Sequence, residues 1–134
     1  MFDFKFDWSP TLEIGIPLID AQHKELFSIG REIEQLLLTN CVGATDDYLL
    51  KLLCKLRDYV TYHFYFEEQL LKDISNVDHA SHIQAHQNFT SKINSVDCIY
   101  LCQNPNQAFL EIKNILQNWV FDHIIHLDIS HLDN

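Results

Sequence analysis

Apolar side chains recur along most of this chain at alternating steps of three and four residues, which is typical of helices that bury one face in a bundle. Breaks in this pattern predict helices over about 18–39, 46–72 and 79–101, and a fourth that ends near residue 127. Short connections make neighbouring helices antiparallel. The sequence therefore predicts an all-α fold, an up-down-up-down antiparallel four-helix bundle preceded by an irregular N-terminal arm.

Length, composition and charge narrow the fold and the partners. The chain has 134 residues, which suits one compact domain covering residues 1–134. Only three Gly and three Pro are present, so an all-β fold, which needs frequent turns, is disfavoured. Nine Lys and Arg against nineteen Asp and Glu give a net charge of −10, which repels nucleic acid and anionic membranes. We expect neither of these as a partner.

The N-terminus and the cysteines indicate a cytoplasmic protein. The first ten residues carry acids and lack the apolar core of a secretory signal. No apolar run approaches the roughly 18 residues that a membrane span needs. Without an export signal, the four cysteines are expected to remain thiols. Cys98 and Cys102 lie one helical turn apart and could hold a metal, but this spacing more often places two small apolar groups on one face.

Six polar residues occupy positions that the pattern assigns to the core: His23, His63, Glu67, His82, His86 and His123. Burying such groups without partners costs several kcal/mol each, against the ~5–15 kcal/mol by which a domain is stable. His63 and Glu67 are spaced i, i+4, as are His82 and His86, so the side chains of each pair point toward a common position. Antiparallel packing brings the polar residues of all four helices to one end of the bundle. The sequence predicts a metal centre there. Asp128, five residues after His123, can join it only if the helix ends, loosens or bulges near 124–128.

These residues resemble the hemerythrin family, in particular its single-domain bacterial members, over nearly the whole chain. The resemblance is carried by Trp8, by GIPLIDAQHKELF at 15–27, by His63-Phe64-x-x-Glu67-Glu68, by His82-x-x-x-His86-x-x-Phe89, and by Trp119-x-x-x-His123-Ile124-x-x-x-Asp128. Each piece alone is weak. All of them in order, with seven ligand positions filled, are highly specific.

The resemblance implies a non-haem centre of two iron ions. In that arrangement His82, His86 and His123 bind one iron, His23 and His63 bind the other, and Glu67 and Asp128 bridge them together with an oxo or hydroxo group. The two-histidine iron then has a vacant position, at which members of the family bind dioxygen reversibly. Imidazole and carboxylate ligands suit iron, but zinc or manganese could occupy the same cage.

Helical offsets place four apolar residues around the vacant position, namely Leu26, Phe64, Trp119 and Ile125. Such a wall would exclude water and slow the loss of reduced oxygen species, although the same residues also suit ordinary core packing. One position departs from the family, which commonly has Tyr where this chain has His131. That imidazole could donate a hydrogen bond to the site, accept a proton or face water.

The expected function is reversible dioxygen binding for transport, storage or delivery, without enzymatic activity. Two alternatives use the same metals: an oxidoreductase acting on peroxide, nitric oxide or ferrous iron, and an oxygen or redox sensor read by a partner. Tyr48, Tyr59, Tyr62 and Phe66 are predicted on the bundle exterior. Scattered exposed aromatics are normal, so the oligomeric state and any protein partner stay open.

Overall fold

The computed structural model describes residues 3–74 and 80–120. Within these ranges the chain is helical and contains no strand. A short 3-10 helix, Pro10–Leu12, is followed by α1 (Pro17–Leu38), α2 (Asp46–Ile74), α3 (Ala80–Asn94), α4 (Cys98–Gln103) and α5 (Pro105–Trp119). The long helices α1, α2, α3 and α5 close a ring in which each packs against the next, and α4 packs on α2 and α5. The predicted helical bundle is confirmed.

The first two helices begin and end where local sequence signals predict. Pro17 occupies the first turn of α1, where its missing N–H costs nothing. The connection after α1 contains three residues with positive φ, Asn40, Cys41 and Gly43, which a continuing helix does not allow. The Thr45 hydroxyl then accepts the backbone N–H of Tyr48 at 3.1 Å and caps α2.

The third predicted helix, 79–101, is wrong as a single element. Helix α3 ends at Asn94, and α4 begins only at Cys98. The Asp97 carboxylate accepts the N–H of Ile99 at 2.8 Å, so Asp97 starts a new helix. Arg57 on α2 stabilises the break, since its guanidinium donates to carbonyls at the end of α3 and beyond it, including that of Val96 at 2.8 Å.

No described helix is both long and apolar enough to cross a membrane. The core instead fills the space between the four long helices with aliphatic and aromatic side chains that are almost fully buried. The largest of these are Phe109, Ile19, Leu26, Ile29, Ile33, Leu49, Leu53, Leu56, Ile93, Leu101 and Ile112. They hold the helix faces that carry the polar residues in fixed positions.

The N-terminal arm is irregular, as predicted, and is attached to α1 through an aromatic side chain and through its backbone. Phe6 is 3% exposed and meets Phe27 edge to face, with ring centroids 5.8 Å apart. Glu34 on α1 accepts the backbone N–H of Lys5 at 2.7 Å and that of Phe6 at 3.0 Å. Phe6 lies directly over Gly30, where a β-carbon would stand 2.5 Å from the ring.

Gly30→Ala is expected to destabilise the protein by about 1–3 kcal/mol, because the added methyl group overpacks the contact with Phe6. This loss exceeds the gain in helix propensity, which is at most about 1 kcal/mol. Urea denaturation followed by circular dichroism measures the difference. A Phe6→Leu change in the Gly30→Ala background should recover part of the loss. A Gly30→Ala protein as stable as the parent would contradict the contact.

Tyr48 joins α2 to α1 through a hydrogen bond that its hydroxyl donates to Glu32 Oε1 at 2.6 Å. This bond, burial and the charge of Glu32 raise the pKa of Tyr48 to about 12. The interaction therefore stabilises the fold fully below the tyrosine's ordinary pKa of 10.0, and its contribution disappears as the pH rises through about 12. In an ultraviolet titration, Glu32→Gln should lower the pKa of one tyrosine toward 10.0. A titration identical to the parent's would contradict this.

Candidate metal centre

Glu67 lies at the centre of a group of four histidines from three helices. Its Oε2 atom is 3.0 Å from Nε2 of His63 and 3.4 Å from Nε2 of His23. Its Oε1 atom is 2.7 Å from Nε2 of His82 and 3.4 Å from Nε2 of His86. Each carboxylate oxygen therefore faces a different pair of imidazoles.

Helix geometry explains why these residues meet. His63 and Glu67 are one turn apart near the end of α2, and His82 and His86 are one turn apart near the start of α3. His23 lies early in α1, which runs antiparallel to α2, so it reaches the same level of the bundle. The structure thus brings together five of the seven predicted ligands.

The group is closed to solvent. None of the five residues is more than 2% exposed, from 0% for His23 and His82 to 2% for Glu67 and His86. Burial alone pushes the pKa of Glu67 upward, but hydrogen bonds from the four histidines outweigh it and hold that pKa well below its usual value. The histidines therefore favour the ionised form of Glu67, and a buried carboxylate of this kind needs a cation beside it.

The histidines are held from outside by two polar neighbours. Nδ1 of His86 donates to Glu68 Oε1 at 2.9 Å, and Nδ1 of His63 lies 2.6 Å from Gln22 Oε1. Such outer partners fix the ring orientation of histidine ligands in metal sites. Glu68 points away from Glu67 and toward an outer partner, as its sequence position suggests.

The contacts of the His86 ring bear on whether a metal ion fits this group. Both of its ring nitrogens face carboxylate oxygens, Nδ1 that of Glu68 and Nε2 that of Glu67. A neutral imidazole has one N–H, so it can donate to only one of them. A proton or a metal ion between Nε2 of His86 and Glu67 would satisfy the second carboxylate. The arrangement therefore suits a cation on the Glu67 side.

Two sets of donors could each hold a metal ion: His23, His63 and Glu67 form one, and Glu67, His82 and His86 form the other. Within each set the donor atoms lie within 4.8 Å of one another. Glu67 is common to both, so its two oxygens could bridge a pair of ions. Imidazole nitrogen and carboxylate oxygen are ligands that iron and zinc accept.

Aromatic side chains cover one side of the group. Phe64 stacks on His86 with parallel rings 4.0 Å apart. Trp119 is 7% exposed, and its ring centroid lies 5.0 Å from that of Phe64 and 5.5 Å from that of His86. Leu26 is fully buried one turn after His23. Three of the four predicted pocket residues thus lie in the apolar interior near the histidines.

Three other predicted site residues, His123, Ile125 and Asp128, lie outside the described residues, as does His131.

Sequence reasoning missed the role of Gln22 and misplaced Tyr59. Gln22 precedes His23 in the sequence. Glutamine is common at surface positions of helices, so its presence there does not indicate a role in the site. Tyr59 is not simply on the exterior. It lies one turn before His63 and stacks on that ring at 5.9 Å with an interplanar angle of 7°. Burial raises its pKa. The i, i+4 spacing could have indicated this contact.

Comparison with known proteins agrees with this site. The model of the hemerythrin HHE cation binding domain matches residues 14–126. The bacteriohemerythrin of Clostridium acetobutylicum is 26% identical over 128 residues, covering 96% of this chain and 99% of that protein. The bacteriohemerythrin of Pseudomonas paraeruginosa is 29% identical over 126 residues, covering 94% of this chain and 78% of that protein.

A third bacteriohemerythrin, from Stenotrophomonas maltophilia, is 26% identical over 129 residues, with 94% of this chain and 78% of that protein covered. No solved structure gives a significant match. The family model alone spans most of the chain, and it includes all four histidines and the glutamate of the buried group. The chain belongs to the hemerythrin family.

Proposed function

We propose that this protein binds dioxygen reversibly at a non-haem centre of two iron ions, as a carrier, a store or a delivery module. The observation that carries the proposal is the position of Glu67, whose two oxygens face two different histidine pairs. A single carboxylate between two imidazole pairs suits a pair of metal ions that share this ligand.

In the proposed centre His23 and His63 bind one iron, and His82, His86 and His123 bind the other. Glu67 and Asp128 would be shared by the two ions. His123 and Asp128 enter this assignment through the family resemblance and their spacing after Trp119. We further propose that residues 1–134 form one domain. We also propose that this domain acts in the cytoplasm, since all four cysteines are free thiols of the kind that a reducing compartment maintains.

The bound iron would supply electrons to dioxygen and take them back on release. The chain's own residues then decide whether that exchange stays reversible. Phe64 and Trp119 keep water from the histidines, and Leu26 and Ile125 are proposed to complete the same apolar wall. Excluding water and stray protons favours the return of intact dioxygen over the escape of a reduced product.

The low negative charge of the site supports binding over bond cleavage. The described group contains one carboxylate among five donor residues, and the proposed complete set contains two among seven. Carboxylate-rich sites stabilise highly oxidised iron through their charge, and this set supplies less of it. The proposal is therefore an oxygen-binding protein rather than an oxidase.

Cycling the reduced, iron-loaded protein between air and argon tests the proposal. A visible charge-transfer band should appear in air, fade under argon and return over several cycles. Zinc-loaded protein is the control and should show no such band. Rapid one-way oxidation together with turnover of added peroxide or nitric oxide would instead support the enzyme. A His63→Ala protein with unchanged iron content and spectrum would contradict the ligand assignment.

A further inference from the structure

A groove of about 410 Å³ opens between α2 and α3 on the outer side of the histidine group. Phe64 and His86 line its floor, with their rings stacked 4.0 Å apart. Tyr65, which is 64% exposed, lies on the α2 side, and Ser91 lies on the α3 side. A molecule in the groove therefore lies over the Phe64–His86 pair, close to a proposed iron ligand that is itself only 2% exposed.

The charges around the groove favour a cation. Among its lining residues, Glu68 supplies a carboxylate, and neither Lys nor Arg is present. The exposed aromatic face of Tyr65 also attracts cations. Arg57 lies near the end of the groove at Asn94, but backbone carbonyls already occupy its guanidinium. The net charge of −10 adds a long-range attraction for positive ligands.

The size and the wall chemistry favour a flat aromatic molecule. A volume of about 410 Å³ lies in the range of small-molecule sites. A planar ring can stack on Tyr65 while hydroxyl and amide groups of α3 contact its edge. A planar aromatic cation combines the positive charge that Glu68 favours with the flat ring that Tyr65 can stack on.

We propose that the α2–α3 groove binds a planar aromatic cation whose one-electron-reduced radical form delivers electrons to the metal centre. The delivery role rests on the proposed function, because iron that has become ferric must regain electrons before it can bind dioxygen again. Each donor molecule gives up one electron and gains one positive charge, and each ferric ion accepts one electron, so two donors restore the pair. The hydrogen bond from His86 to Glu68 links the groove to the centre.

Binding of methyl viologen to the metal-free protein, measured by calorimetry and by quenching of aromatic fluorescence, tests the site without iron. We expect saturable binding at one site. The bis-sulfonatopropyl analogue, which has the same ring system but no net charge, should bind at least about threefold more weakly because the attraction to Glu68 and to the protein's net charge is lost. Equal affinity for the two compounds would overturn the assignment to a cation.

Matched variants locate the binding site. Ser91→Trp fills the groove from an exposed position and should weaken binding at least about tenfold. Asn118→Trp adds the same side chain to a different groove, of about 230 Å³ between α3 and α5, and should leave the affinity unchanged. Glu68→Gln should weaken binding about threefold to fivefold, whereas Glu111→Gln on the exposed face of α5 should not. Equal effects within either pair would overturn the proposal.

Reduction kinetics test the delivery role. In stopped-flow experiments, the rate at which reduced methyl viologen reduces the oxidised iron-loaded protein should saturate with donor concentration and fall at least about tenfold in Ser91→Trp, but not in Asn118→Trp. Absence of viologen binding in a protein that cycles its visible band between air and argon overturns the groove proposal alone. Viologen binding in a protein without that band overturns the proposed function, and with it the delivery role, but leaves the groove as a binding site for the cation.

Discussion

Replacing Glu67 by glutamine is expected to prevent the protein from retaining the proposed pair of iron ions. The carboxylate has one oxygen facing His23 and His63 and another facing His82 and His86. A carboxamide offers a single oxygen, and its NH2 group does not bind metal, so it cannot bridge two ions. After anaerobic loading and gel filtration, iron analysis should show two ions per parent chain and less than one per Glu67→Gln chain.

The loss of iron should not come from unfolding. Glutamine has nearly the same volume as glutamate and retains an oxygen acceptor for the histidines. Far-UV circular dichroism of the metal-free variant should therefore match that of the metal-free parent. The air-induced visible band should be absent from the variant at every iron concentration used for loading.

Glu68→Gln is the matched control for this prediction. Glu68 is the next residue in the sequence and also contacts a histidine of the group, but through Nδ1 of His86 on the outer side. Removing an outer partner lowers metal affinity by about 10- to 100-fold without removing a ligand. Glu68→Gln should thus retain both ions when iron is in excess. Equal iron loss in the two variants would show that Glu67 does not act as a bridge.

The parts of the fold that the sequence predicts well are those set by local signals. Helices α1 and α2 begin at Pro17 and after Thr45, both of which act within one turn of the chain. The break between α3 and α4 was not predicted, because apolar residues continue at helical spacing across it. Its stabilisation by Arg57, 36 to 39 residues earlier in the chain, is a tertiary contact that periodicity does not contain.

The site residues also fall into two classes, those that local sequence spacing predicts and those whose role depends on tertiary contacts. His63, Glu67, His82 and His86 were predictable because polar residues interrupted the apolar face of a helix at i, i+4 spacing. Gln22 was not, since its role depends on the rotation of α1 against α2, which brings its amide oxygen 2.6 Å from Nδ1 of His63. The burial of Glu34 was missed for a related reason, because its backbone donors lie 28 and 29 residues earlier, in the arm.

Glu34→Ala is expected to cost about 3–5 kcal/mol of stability, the range measured when one partner of a buried ion pair is removed. Glu34 is 0% exposed and accepts the backbone N–H groups of Lys5 and Phe6, and its Oε2 lies 3.5 Å from Nζ of Lys113 on α5. Truncation leaves the two N–H groups and a mostly buried ammonium without this acceptor. Urea denaturation of the metal-free protein at neutral pH measures the loss.

Glu32→Ala provides the comparison, because Glu32 lies two residues earlier on α1 but its side chain is 32% exposed. It contacts the Tyr48 hydroxyl at 2.6 Å and Lys55 Nζ at 3.6 Å, so its removal should cost no more than about 1–2 kcal/mol. If Glu34→Ala were no more damaging than Glu32→Ala, the arm would not depend on the buried carboxylate. The predicted difference would instead show that one acid on α1 holds the N-terminal arm and α5 together, and with them the helix that carries His23.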